Sequence, residues 1–183
     1  GGAGSLLGES FAGYLDDGDR VVPYPLLWGM RLAWCPSEWL TVEAQRSVML
    51  GGAGRTQKLD VGDLWDIFLG RGEGARGPNY APKDSDQKFA WMVRLHPREH
   101  VRAIGLADAE LVWFYGGEDR FERLFPMAPG RFHGLRVHPS DRWGLSLAYA
   151  SNPDDQNRWY YHKIYRTGYT YRGYIIGHPM GGD

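Results

Sequence analysis

Several stretches of the sequence carry residue types that do chemistry in other settings. His96-Pro97-Arg98-Glu99-His100 has the H-x-x-E-H spacing of a zinc site in which two imidazoles share one helix face. It follows a strand-like run, and Pro97 has no N–H to give to a helix interior, so the stretch reads as a solvated turn. Gly72-Glu73-Gly74-Ala75-Arg76-Gly77 has the spacing of a dinucleotide loop, which needs a strand before it and a helix after it. Here a short helical segment precedes it and Pro78 closes it, so it reads as loop. Gly51-Gly52-Ala53-Gly54 reads the same way, because it lacks the Lys-Ser/Thr of a phosphate loop. Glu118-Asp119 is a carboxylate pair, but glycosidic acid/base work needs two carboxyls facing one bond about 5 to 9 Å apart. Adjacent residues on a strand point to opposite faces. No Ser/His/Asp or Cys/His arrangement is assembled locally. The single Cys35 excludes an internal disulfide framework and a Cys-based zinc site. Nothing here nominates a catalytic residue, a metal ligand or a cofactor.

Aromatic side chains are the other chemical resource, with 8 Trp, 11 Tyr and 7 Phe in 183 residues. Tyrosines concentrate between Tyr149 and Tyr174, together with Trp159 and His162. An aromatic face offers apolar area with a polar handle, which suits the alternating CH and OH surfaces of a sugar. Tyr169, Tyr171 and Tyr174 read as strand or interfacial residues. Trp159, Tyr160 and Tyr161, beside the polar loop Asn152 to Arg158, are the better sugar-binding candidates, with Arg158, Glu118 and Asp119 as hydrogen-bonding partners for hydroxyls. Charge excludes a different ligand class. The 21 Lys and Arg are intermixed with 22 Asp and Glu for a net charge of -1, so no basic stripe exists for a nucleic acid backbone.

The elements that must position these residues are strands. Leu26, Trp28, Met30, Leu32 and Trp34 alternate with Leu27, Gly29, Arg31, Ala33 and Cys35, and a period of two is a strand. After Pro36-Ser37-Glu38 the pattern resumes, with Leu40, Val42, Ala44, Val48 and Leu50 opposed to Thr41, Glu43, Gln45 and Ser47; Arg46 alone breaks the apolar row. The pair reads as an antiparallel hairpin. Further one-faced runs are Phe89 to Leu95, Ala109 to Tyr115 and Trp143 to Tyr149, with shorter candidates at Ser10 to Leu15, Arg131 to Val137 and Tyr169 to Ile176. One helical segment, Asp63 to Leu69, carries Leu64, Ile67 and Phe68 at helical spacing with Asp63 as a possible cap.

Connection lengths alternate. Pro36 to Glu38 and His138 to Asp141 are tight and Pro97 to Leu106 is moderate, whereas Asp16 to Pro25, Gly51 to Asp86, Gly116 to Gly130 and Ser151 to Tyr160 are long. In an up-and-down sheet all tight turns then fall at one end and all long loops at the other, as in an outer-membrane barrel. A soluble β-sandwich also has alternating strands and remains open on pattern alone. No run approaches the roughly 18 apolar residues of a membrane helix. For a barrel, Trp28, Met30, Leu32, Leu40, Val42 and Val48 face lipid, while Arg31, Glu43 and Gln45 face a polar lumen. Trp34, Trp39 and Trp143 flank the tight turns, where an interfacial aromatic belt sits. The long connection from Gly51 to Asp86 belongs outside the barrel at the extracellular end, with its helix against the rim or in the mouth. Both ends of the chain read as cut, which suggests a piece of a longer protein.

Particular phrases then stand out in order. Val22-Pro23 precedes Leu26-Leu27-Trp28-Gly29-Met30-Arg31-Leu32; Gln45-Arg46 leads to Gly51-Gly52 and Gly54-Arg55; Leu64-Trp65-Asp66, Gly117-Glu118-Asp119, Gly168-Tyr169-Thr170-Tyr171-Arg172-Gly173, Gly177-His178 and Met180-Gly181-Gly182-Asp183 follow. From about Phe11 to Asp183 this ordered set resembles the Wzi-type capsule assembly family. The resemblance implies an all-β, antiparallel up-and-down transmembrane β-barrel, with residues 1–183 forming part of that single outer-membrane domain and one short helix in an extracellular loop. It implies a non-enzymatic lectin in the outer membrane of a Gram-negative cell, which attaches capsular polysaccharide to the surface and has outer-membrane lipid as its other partner. It does not assign sugar-binding residues. A porin-like channel on the same barrel and a soluble β-sandwich carbohydrate-binding module are the alternatives.

Overall fold

Alternating apolar and polar residues make a one-sided surface only when side chains point to opposite faces in turn, as on a strand. The alternating runs of the sequence are extended in the computed structural model, which describes residues 4–15, 20–54, 60–68, 85–118, 127–151, 165, 170–171 and 174–175. The strands are β1 (Ser5–Tyr14), β2 (Leu26–Ser37), β3 (Leu40–Leu50), β4 (Asp86–Leu95), β5 (Asp108–Glu118), β6 (Met127–Ser140) and β7 (Trp143–Ser151). They form one 7-stranded sheet in the order of the sequence, each strand antiparallel to the next. A sandwich would divide them between two facing sheets, and that alternative falls. The only other sheet among the described residues is the short pair β8 (Thr170–Tyr171) and β9 (Tyr174–Ile175). Thr170 and Ile175 are partners in it, so the continuous strand expected from Tyr169 to Ile176 is a hairpin instead.

The two ends of the sheet differ as the connection lengths require. Glu38-Trp39 and Asp141-Arg142 are two-residue turns, each preceded by a register shift, between Trp34 and Ser37 in one case and between Val137 and Ser140 in the other. Pro36 and Pro139 occupy those irregularities, where a missing N–H removes no ladder bond. Neighbouring turns are tied along this rim: His96 N donates to Trp39 O at 2.8 Å and Ala107 N to His138 O at 2.8 Å. Between them lies α2 (Arg98–Ala103), a six-residue helix where the sequence reads as a turn. Pro97 stands at its N-cap position, where the absent N–H costs nothing.

The long connections 15–25, 51–85 and 119–126 emerge at the opposite end, and the second of them carries α1 (Val61–Phe68). Asp63 caps this helix differently from the expectation. Asp63 N donates to Asp60 Oδ1 at 2.8 Å and Asp60 N to Asp63 Oδ2 at 3.0 Å, so Asp60 is the N-cap and Asp63 its reciprocal partner one turn in.

Register assigns every side chain to a face. Leu26, Trp28, Met30, Leu32 and Trp34 share one face with Leu40, Val42, Val48 and Leu50, and across the sheet with Trp91, Trp113, Leu135 and Leu147. Arg31, Glu43 and Gln45 share the other face with Glu9, Lys88, Arg94, Glu110 and Arg136. Two small cores sit at the long-loop end, one on each face. Leu15, Leu27, Met49 and Tyr165 cluster on the polar side with Val22 against them. Val48, Leu50 and Ile67 cluster on the apolar side with Leu26 and Trp28.

Candidate functional site

The polar face is built around a row of charges with one residue per strand and alternating sign. Glu9 on β1 faces Arg31 on β2, with Nη1 to Oε2 at 3.0 Å. Arg31 also grips Glu43 on β3 with two bonds, Nε to Oε2 at 2.6 Å and Nη2 to Oε1 at 2.5 Å. Gln45 Nε2 donates to the same carboxylate at 3.2 Å. Arg94 on β4 lies diagonal to Glu43 and pairs with Glu110 on β5 at 3.2 Å, and Glu110 reaches Arg136 on β6 at 3.5 Å. Residues opposite or diagonal on one sheet face stand close enough for such contacts. Glu43 is only 1% exposed, so its charge depends on Arg31. The row also fixes register, because a slip by one residue would carry each charge to the apolar side.

Above this row lies a cavity of about 520 Å³ lined by Glu9, Phe11, Arg31, Gln45, Ser47 and Phe114, among others. Phe11 folds over Gly29, where a Cβ would collide with the ring. Gly116 leaves room for Phe114 on β5, since a Cβ there would stand 3.0 Å from the Phe114 Cζ and 2.8 Å from the Ala90 Cβ. Two phenyl faces over a floor of carboxylate, guanidinium, amide and hydroxyl groups can hold a ligand with both apolar and polar surface. Reading the sequence missed these residues. The available signal was an aromatic side chain at a polar position of an alternating strand, as at Phe11 and Phe114.

Toward the long loops on the same face stands the polar-side core. Leu15 N donates to Pro25 O at 3.0 Å, Ala53 N to Pro23 O at 2.7 Å, and Tyr165 Oη to Gly51 O at 3.0 Å. Gly52 has φ of 106°, and a Cβ there would meet Pro23 O at 2.9 Å, so glycine is required for the two loops to close on each other. Tyr165, 114 residues beyond Gly51, is buried here and brings the chain after β7 back across the sheet to β2 and β3.

Of the residues expected to bind sugar, Arg158, Trp159, Tyr160, Tyr161 and Asp119 lie outside the described residues, and Glu118 contributes its backbone at the end of β5 opposite Lys88. His96 and His100 do not share a helix face. His96 precedes α2 and its Nε2 stands 2.8 Å from Asp108 Oδ1, while His100 is within the helix. Among the described residues no group of three or more His, Cys, Asp or Glu could hold a metal ion.

An antiparallel meander with one apolar face, one polar face crossed by ion pairs, aromatic residues beside its tight turns and long loops at the other end is the wall of an outer-membrane type β-barrel. Residues 4–183 match the family model described as capsule assembly protein Wzi, and the chain belongs to that family. A solved structure of Wzi from Escherichia coli, described as an outer membrane protein involved in group 1 capsule assembly and a carbohydrate binding β-barrel, superposes with a TM-score of 0.70 at 22% sequence identity. The match covers 97% of this chain and 36% of that one, so the chain spans about a third of the length of that protein. No curated protein sequence matches.

Proposed function

We propose that the protein acts at the outer membrane as a non-enzymatic lectin that attaches capsular polysaccharide to the cell surface, with residues 1–183 forming part of a single barrel domain. Family membership supplies the capsule, and the carbohydrate binding described for the E. coli relative supplies the ligand class. The observation that carries the reading is the mouth. Long connections collect at one end of the sheet, and Tyr165, four residues after Tyr161 in the sequence, is buried at that end. Trp159, Tyr160 and Tyr161 then offer stacking faces, and Arg158, Glu118 and Asp119 offer hydrogen bonds to hydroxyls. Lipid is the partner of the apolar face.

The test is capsule retention. Replacing Trp159 and Tyr161 with Ala releases capsule into the medium while the amount of barrel in the membrane stays unchanged. Normal retention in the double variant would make those aromatics structural and move the sugar site to other loops.

A further inference from the structure

The two sides of α1 meet different surroundings. Ile67 is buried against Val48 and Leu50 on the apolar face of the sheet. Val61, Leu64, Trp65 and Phe68 stand at i, i+3, i+4 and i+7, which places them in one stripe along the helix. They are exposed by 83%, 49%, 58% and 41%. A run of four apolar side chains this open on an eight-residue helix is costly in water.

What covers the stripe follows from where it sits. The rings of Trp65 and Phe68 stack at 5.3 Å with 16° between planes, and Phe68 continues onto Trp28 at 6.4 Å and 30°. Trp28 belongs to the apolar row of β2, which runs on through Met30, Leu32 and Trp34 toward the tight turns. Leu32 and Trp34 are themselves half exposed on that face. The stripe is therefore continuous with the lipid-facing surface of the sheet and stands at its long-loop edge. The acidic residues stay off it: Asp60 and Asp63 bond each other's backbone, and Asp66 lies toward the opposite side of the helix.

We propose that α1 is an interfacial helix seated in the outer leaflet of the membrane, with Val61, Leu64, Trp65 and Phe68 immersed at the boundary between headgroups and acyl chains. Its partner is lipid, and it widens the apolar collar of the barrel at the extracellular rim. Trp65 is the anchor, as an indole placed where one edge is apolar and the other wet. The proposal rests on the reading of the sheet as a membrane-inserted wall.

Nitroxide labels test it in the protein reconstituted into phosphatidylethanolamine and phosphatidylglycerol vesicles. With Cys35→Ser as background, single cysteines are placed at Leu64, Trp65, Asp66 and, as a reference on the sheet, Leu32. Collision rates with oxygen, which partitions into lipid, are compared with those of a water-soluble nickel chelate. The expected ratio of oxygen to nickel is several-fold higher at positions 64 and 65 than at 66, and high at position 32. A high ratio at 32 with nickel-accessible labels at 64 and 65 overturns the interfacial helix and leaves the barrel standing. Labels at 64 and 65 shielded from both reagents overturn it too, because protein then covers the stripe. Nickel access at 32 as well would overturn the membrane-inserted wall itself.

Discussion

The apolar face of the sheet has two halves that look alike in sequence and meet different surroundings. Near the tight turns, Leu32, Trp34, Trp39, Leu145 and Trp143 are open to the outside. Near the long loops, Val48 and Leu50 are buried under α1, and Arg46 and Gln87 are buried beside them. Arg46 is the one charge in the apolar row of β3, and it donates to Gln87 Oε1, while Gln87 Nε2 donates to Ser85 Oγ at 2.7 Å. A buried guanidinium is sustained by such bonds and by exclusion from hydrocarbon. Alternation therefore marks which face a residue is on, whereas the covering of that face by lipid or by protein is decided separately along its height.

The largest effect is expected from the opposite face, where both halves depend on the charge row. Arg31→Met leaves the buried Glu43 carboxylate with Gln45 as its hydrogen-bond donor and should cost about 3 to 5 kcal/mol. Equilibrium unfolding by urea in vesicles measures it. The double variant Arg31→Met with Glu43→Met should recover most of the loss, and no recovery would mean that Arg31 acts through packing alone.

Next in size is a direct comparison of the two halves of the apolar face. Val42→Arg places a charge on that face toward the tight turns, four residues before a position where an arginine already resides. It should cost about 1 to 2 kcal/mol, below the value for a midplane charge, because Val42 pairs with Trp34 beside the aromatic belt. An unchanged folding yield in bilayers would show that protein or water, rather than lipid, covers this half as well.

The smallest expected effect sharpens the upper half. Asp60→Ala removes the N-cap of α1 and should weaken the helix by about 1 kcal/mol while leaving the sheet intact. Faster amide exchange confined to residues of α1 is the readout, and the Val48 to Ile67 contact loosens with it.

Much of the sheet is legible in the sequence because its strands carry side chains with period two. β2, β3, β4, β5 and β7 follow from alternation, and the meander follows from connection length. Where the pattern is diluted the reading falls short. β1 begins at Ser5 rather than Ser10, since Gly8 and Glu9 interrupt its apolar positions, and β6 extends to Met127 and Ser140 across Pro129, Gly130 and His133. α2 escapes because six residues after a proline show no helical periodicity, and its place is held by the neighbouring turns.

Side-chain spacing along the chain sets the period-two faces, the order of the strands, the end to which each loop belongs and, through its ordered phrases, the family. Those are local or composition-level properties, written in the spacing of side chains along one chain. It takes the folded chain to bring Phe11 and Phe114 to one cavity, to bury Arg46 against Gln87, to cap α1 with Asp60 rather than Asp63, and to close Tyr165 onto Gly51. Each of these depends on which residues of distant strands or loops come to stand at one height. That is set by register and by how loops fold back, and residue spacing along a single strand carries no record of it.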